Sequence, residues 1–364
     1  MRLQNKYKIA LVGYRLSGGG SDKIMTNLSL YLESLGVEIY VVTVLDEGKV
    51  KHGGTYVSTT QLKTSEGFLG RWNRAKGLKK FFSDKKFDYI IDFRFRTKWF
   101  QEVLISKFLY NAPTVFTVHS WATDHYIPKQ SILAEYMYKS AYALVTVAQA
   151  IENKLKTNYS FSNVSTIYNP LIIEDFQKIS IQPNDNNSKT ILFVGQLENK
   201  TKQLDHLLQA FSESNLAERG TIIKVCGTGQ LENYYKQLVQ EMGLEKHVIF
   251  LGYVQPPYFE MYQAKFLVLC SAYEGFGNVL TESLFCHTPV ISYDMDCGPS
   301  EIIQHKVNGL LVENQSIDEL KDAMILFFEN DELYTYCKAN ARNSVSKFHM
   351  DVIGKQWVKL LKLM

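Results

Sequence analysis

The sequence predicts an α/β protein built from two doubly wound, parallel-sheet domains. Short, nearly continuous apolar runs recur along the chain with helical patterns between them, as buried parallel strands require. A glycine-bearing turn follows the first strand pattern of each half, and a polar, turn-rich stretch, Ile181–Lys189, divides the halves. At 364 residues the chain is also longer than one hydrophobic core usually serves. The expected division is a first domain over 1–175, a linker over 176–189, a second domain over 190–345, and a terminal helix over 346–364 that crosses back to the first domain. The two domains are expected to face a shared cleft.

In the first half the strand patterns are Tyr7–Gly13, Val37–Thr43, Tyr89–Asp92, Thr114–Val118 and Ala143–Val147, with Ser165–Pro170 as the last, stopped by its proline. The second half repeats the alternation at Thr190–Val194, Thr221–Val225, His247–Phe250, Phe266–Leu269 and Pro289–Ile291. Val307–Val312 reads as a hairpin-like turn, and the tail from Ile317 to Met364 reads as helix throughout.

Composition excludes several classes. Hydrophobic residues at 46% and charged residues at 21% describe a globular chain, not a disordered one. No apolar run approaches the ~18 residues of a spanning helix. The N-terminal residues lead straight into a strand pattern, so no signal peptide is expected. Five cysteines, an odd number without CxxC spacing, point to a reduced, cytoplasmic setting without structural zinc. The net charge of +3 is uneven: residues 1–175 hold 23 Lys and Arg against 15 Asp and Glu, and the remainder 17 against 22.

The most informative stretch is Ser271–Leu284, where an apolar strand pattern runs into a glycine turn and then a helix. Gly275 and Gly277 allow close backbone approach, Asn278 or Thr281 is placed to open the helix, and Val279 lies in its first turn. A strand, a glycine turn and a helix N-terminus suit an anion at the carboxyl end of a sheet. Glu274 and Glu282, on the turn and one helical turn in, would repel that anion and instead accept from hydroxyl groups. The ligand implied is therefore both anionic and hydroxylated; the alternative is a surface turn with two solvated acids.

Similar turns occur elsewhere. Gly195–Gln203 sets Lys200 and Lys202 where they can neutralise a phosphate, and Gly227 lies in a turn open to a ligand. Gly19 and Gly20 follow the first strand, with neither GxGxxG nor P-loop spacing. His119 stands at the carboxyl end of a buried-type strand, where open sheets place their chemistry. No metal constellation and no nucleic-acid-binding motif is present. Residues 67–86 carry seven cations among Phe68, Leu69, Trp72, Leu78, Phe81 and Phe82. Two uses stay open for 68–86: contact with an anionic membrane, or a domain helix with a solvated basic face.

Taken in order, Gly18–Gly20, Asn169-Pro170, Gly195-Gln-Leu with Lys202, Glu274-Gly-Phe-Gly-Asn with Glu282, Gly298–Ile303 and Asn308–Val312 resemble the retaining glycosyltransferases of GT-B architecture, family 4 type. These include capsule, lipopolysaccharide and teichoic-acid enzymes. The resemblance covers nearly the whole chain. It implies two Rossmann-like domains and metal-independent transfer of a sugar from a nucleoside diphosphate sugar, with a UDP-sugar as the expected donor. The acceptor would be a hydroxyl of a glycan or lipid-linked acceptor, reached from the inner face of the cell membrane, and no cofactor is required. By the same resemblance Glu282 holds the ribose, while Glu274 and His119 contact the donor sugar beside Phe276, Gly277 and Asn278. Lys202 steadies the departing diphosphate, with the Gly19–Gly20 turn beneath it. One departure stands out: Gln196 replaces the family's arginine. Two further readings remain, another GT-B enzyme such as a nucleotide-sugar epimerase, or a catalytically weak nucleotide-sugar-binding partner subunit.

Overall fold

A computed structural model describes residues 7–16, 19–45, 50–62, 67–172, 176 and 188–363. They fall into two compact units, Met1–Pro170 with Met350–Met364, and Leu171–His349. Nearly all of the expected 176–189 linker, and Gly18 of the first glycine turn, lie outside the described residues.

The first unit holds a seven-stranded parallel sheet of β1 (Lys8–Gly13), β2 (Glu38–Thr43), β3 (Thr55–Ser58), β4 (Tyr89–Asp92), β5 (Thr114–Val118), β6 (Ala143–Thr146) and β7 (Val164–Thr166). Their order is β3-β2-β1-β4-β5-β6-β7. The apolar runs sit where burial on both faces demands them: Ile9, Ala10 and Leu11 of β1 and Ile90 and Ile91 of β4 are fully covered. The sequence reading misses β3. Its four residues form an edge strand paired only with β2, and an edge strand needs no apolar run.

Helix Met350–Leu360 belongs to this unit. Ile353, Trp357 and Val358 join its core, and Tyr142 donates a hydrogen bond to the Leu360 carbonyl at 2.8 Å. The tail is not helical throughout. Asn330 separates helices Ile317–Glu329 and Asp331–Ser344, its side chain accepting from Leu333 N, and a 3-10 turn, Ser346–Phe348, precedes the last helix.

The second unit carries a six-stranded parallel sheet, β10-β9-β8-β11-β12-β13, from β8 (Thr190–Val194), β9 (Ile222–Cys226), β10 (Val248–Gly252), β11 (Phe266–Leu269), β12 (Val290–Tyr293) and β13 (Gly309–Val312). Here the hairpin-like turn is corrected. Gly309–Val312 pairs in parallel with β12, with Val290 opposite Gly309. The turn before it closes on itself through Lys306 N and the Gly309 carbonyl at 2.8 Å, and helix Pro299–Ile302 makes the crossover. Among the described residues no helix is long and apolar enough to cross a membrane.

Each sheet reverses its winding once, between β1 and β4 in the first and between β8 and β11 in the second. Loops leaving adjacent strands at such a point diverge and open a crevice at the strands' carboxyl ends.

Candidate functional site

In the second unit the loops after β8 and β11 are sewn together at this reversal. Ala272 N donates to the Thr201 carbonyl at 2.8 Å, and Cys270 Sγ donates to the Gln203 carbonyl at 3.1 Å. The β8 loop tightens into a 3-10 turn, Lys200–Lys202, capped by the Asn199 side chain accepting from Thr201 N at 2.9 Å. Gln203 then adopts a left-handed conformation, φ 47°, and starts the next helix.

The result is a close pairing of the two charged side chains singled out from sequence. Lys202 Nζ lies 2.6 Å from Glu274 Oε1, and Ser271 Oγ donates to the same oxygen at 2.7 Å. Neither charged side chain is sealed off, at 27% and 13% exposure for Lys202 and Glu274. A cation and a hydrogen-bond acceptor thus sit side by side at the crevice.

Around them backbone is packed against backbone. Leu197 N donates to the Thr228 carbonyl, Gly195 N to the Cys226 carbonyl, and Gly227 N to the Gly252 carbonyl. A methyl group on Gly227 would stand 1.8 Å from the Gly195 carbonyl oxygen, so this glycine is required by the loop itself. Gln196 is exposed on the same loop. Lys200 is also exposed and leans over the Tyr234 ring at 4.8 Å.

Gly277, not Asn278 or Thr281, caps helix Asn278–Phe285. Its φ is 91°, and no side chain caps the helix. Thr281 Oγ1 instead donates to the Asn278 carbonyl within the helix. Phe276 turns its ring into the protein, leaving its backbone at the turn. Cys297 Sγ donates to the Gly275 carbonyl at 3.0 Å and braces the turn from below. Val279 and Glu282 are half-buried, Glu282 four residues into the helix from Asn278.

In the first unit Gly20 opens helix α1 (Gly20–Ser34), with Gly19 in extended conformation before it. His119 follows β5, beside β4. Its Nε2 is 2.8 Å from Thr117 Oγ1, which itself donates to the Asp92 carbonyl at 3.0 Å. With the hydroxyl proton so engaged, Nε2 carries the hydrogen and Nδ1 is left as a bare acceptor. Nδ1 is covered and has no partner in the unit. Burial, with Arg96 adding repulsion, lowers the ring's pKa to about 3, so the imidazole is neutral at physiological pH.

Sequence reading passed over what holds His119 there. Arg96 is fully buried and donates to the carbonyls of Arg94, Thr117 and Tyr126, tying β4, β5 and the segment after His119 together. Beside it Arg94 bridges Asp92 at 2.7 Å and Glu102 at 2.9 Å. Burial works against the Asp92 charge, yet Arg94 and Arg96 outweigh it and lower its pKa, whereas burial raises that of Glu102. The signal was the pair Arg94 and Arg96 directly after a buried strand, where solvated arginines are out of place.

Residues 67–85 form helix α2. Phe82 packs in an aromatic cluster with Phe81, Phe87 and Tyr110, and Lys85 lies over the Tyr40 ring at 5.0 Å. No cluster of three His, Cys, Asp or Glu able to hold a metal occurs among the described residues.

Two sheets that each reverse once, with loops of this kind at the second reversal, define the GT-B class of two-domain glycosyltransferases. The family profiles agree: residues 18–175 match Glycosyltransferase Family 4, and 175–344 match Glycosyl transferases group 1. The chain belongs to this family. Among curated relatives it is 26% identical over 220 residues to the poly(ribitol-phosphate) alpha-N-acetylglucosaminyltransferase of Staphylococcus aureus, covering 60% of this chain and 43% of that one. It is 28% identical over 231 residues to a Campylobacter jejuni alpha-N-acetylgalactosaminyltransferase named for a diphospho-undecaprenol-linked acceptor, covering 63% and 62%. The chain thus spans about half the length of the curated relatives it matches. Its fold is similar to that of an S. aureus TarM variant bound to fondaparinux, alpha-GlcNAc-glycerol and UDP (TM-score 0.81, 15% identity, 98% of this chain and 99% of that one). Anabaena HepE with UDP and glucose is likewise similar (TM-score 0.79, 17% identity, 98% and 100%).

Proposed function

We propose that the protein is a glycosyltransferase of cell-envelope glycan synthesis, moving a sugar from a nucleoside diphosphate donor to a hydroxyl of a glycan or lipid-linked acceptor with retention of anomeric configuration. The observation that carries this reading is the Lys202–Glu274 pair at the β8/β11 crevice. Transfer breaks the bond between the anomeric carbon and the diphosphate oxygen, so negative charge grows on the leaving diphosphate. The Lys202 ammonium and the N-terminal end of helix Asn278–Phe285 meet that charge without a metal ion. Glu274 accepts from a hydroxyl of the transferred sugar, and Glu282 from the ribose. Relatives and structural neighbours whose names and titles include UDP, N-acetylhexosamine transfer and undecaprenol-linked acceptors support a UDP-sugar donor and a glycan or lipid-linked acceptor.

Gln196, exposed in the β8 loop, favours one second reading, a binding subunit with little activity of its own. The deciding experiment screens UDP-, GDP- and ADP-sugars for thermal stabilisation, where a ligand at 100 times its dissociation constant adds ~2.7 kcal/mol. The best donor is then incubated with acceptor, and the anomer of the product is read by NMR. A donor that binds but is never transferred would leave the binding-subunit reading. Hydrolysis or rearrangement of the donor independent of acceptor would overturn both.

A further inference from the structure

A group of large, exposed apolar side chains lies together on the first unit. Phe100, Leu104 and Phe108, at 81%, 45% and 62% exposure, follow one another at four-residue spacing along helix Trp99–Leu104 and the π-helical turn Ile105–Leu109. A π turn has more residues per turn than an α turn, so the spacing keeps the three on one face. The neighbouring helix Ser131–Tyr138 exposes Ile132 at 87% and Tyr136 at 57%, again four apart. Lys107 joins the two elements, its Nζ donating to Ser140 Oγ at 3.0 Å and lying 5.1 Å from the Tyr136 ring centre.

Charge around this surface has one sign in excess. Lys98, Lys107 and Lys139 border it, and the only acid in residues 98–109, Glu102, is buried and held by Arg94. Glu135 is balanced by Lys139 at 3.8 Å. Single exposed apolar residues need no explanation, but an apolar face edged by lysines has the make-up of an interfacial membrane element. In 68–86 the described aromatic side chains turn inward, Phe82 being buried and Phe81 packed beside it.

We propose that the first unit docks on an anionic lipid bilayer through the adjoining faces of residues 98–109 and 131–139. Phe100, Phe108 and Ile132 enter the headgroup region, and the lysines meet lipid phosphates. The inference rests on exposure and charge alone and holds whether or not the protein transfers sugar.

The test is flotation of the full chain with vesicles of phosphatidylcholine and phosphatidylglycerol in equal amounts, and with phosphatidylcholine alone. Binding is expected to the mixed vesicles, weakening as salt rises. A Phe100→Ser, Phe108→Ser, Ile132→Ser variant is expected to bind about a hundredfold more weakly with an unchanged melting temperature, since these side chains support no core. Lys98→Glu with Lys139→Glu is expected to lower binding about tenfold and remove the salt dependence. Hydrogen exchange on bound protein provides a readout independent of the variants, with slowing expected at 98–109 and 131–139. The proposal fails if the wild-type chain does not float, if the serine variant floats equally well, or if exchange slows only in 67–86. It fails equally if the wild type is a dimer that ignores vesicles and the serine variant is a monomer, which would make the face a contact between copies.

Discussion

Lys202 Nζ and Glu274 Oε1 are 2.6 Å apart, although they lie 72 residues apart in sequence. The glutamate neutralises the lysine, and in the function proposed above an incoming diphosphate would compete for Lys202 and free Glu274 to accept from a sugar hydroxyl. Lys202→Ala is expected to lower kcat by about 10²–10³, the usual cost of losing one donor to developing negative charge. Nucleotide affinity should fall much less, because the wild-type lysine must leave Glu274 to bind it. Steady-state kinetics with calorimetric UDP titration separates the two, and an equal loss in both would make Lys202 a simple binding residue.

Glu274→Gln keeps the size of the side chain and removes its charge, so Ser271 retains a partner. Transfer is expected to fall by about 10² or more with the melting temperature within a few degrees of wild type. Undiminished turnover would remove Glu274 from the reaction.

How much of this was legible in the sequence depended on whether a feature was local. Strand, glycine turn and helix are local, so Ser271–Leu284 and Gly195–Lys202 could be read directly, as could the winding of both sheets. Partnerships across the chain were not. Ser271 as donor to Glu274 and Arg96 as the tie behind His119 depend on which strands become neighbours, and a list of residues does not contain that. Gly309–Val312 was misread because a four-residue strand after Asn-Gly looks the same whether its partner is antiparallel or, as here, parallel β12.

Gln196→Arg tests the one departure from the family pattern. Gln196 is exposed, so an arginine meets no steric bar, and it would add a second cation to the β8 loop. Turnover is expected to rise about tenfold from a measurable wild-type rate. If the wild type transfers nothing with any donor and only the variant does, the natural chain is the binding subunit.

The proposed assignment of the leaving diphosphate to Lys202 and a helix end makes metal independence an expectation to test. Turnover is expected to be unchanged by EDTA and by added magnesium or manganese. Loss on chelation with recovery on adding metal would show that charge neutralisation comes from elsewhere.

His119 gives a pH signature. Its pKa is about 3 in the folded unit and about 6.5 when exposed in an unfolded chain, so between these values the unfolded state binds the extra proton. The stabilisation is therefore complete above pH 6.5 and is lost as pH falls, by up to about 1.4 kcal/mol per unit. Urea unfolding at pH 7 and pH 5 is expected to show a smaller drop for His119→Asn than for wild type. The same neutrality predicts that His119 contributes no limb to the pH–rate profile between pH 5 and 8. Equal drops in the two proteins would mean that water reaches Nδ1.

The glycines assigned to ligand binding separate into two kinds, and substitution by alanine tells them apart. At Gly227 a Cβ would overlap the Gly195 carbonyl at 1.8 Å, so Gly227→Ala must displace one of two hydrogen-bonded loops. It is expected to lose about 3 kcal/mol of stability, and its activity with it. At Gly19 the backbone is extended and nothing lies within 4 Å of an added Cβ, so Gly19→Ala is expected to stay within about 0.5 kcal/mol of wild type. Any fall in transfer by Gly19→Ala then reports a ligand close to the backbone before α1. If Gly19→Ala leaves both melting temperature and kcat/KM unchanged, the diphosphate does not lie against that turn.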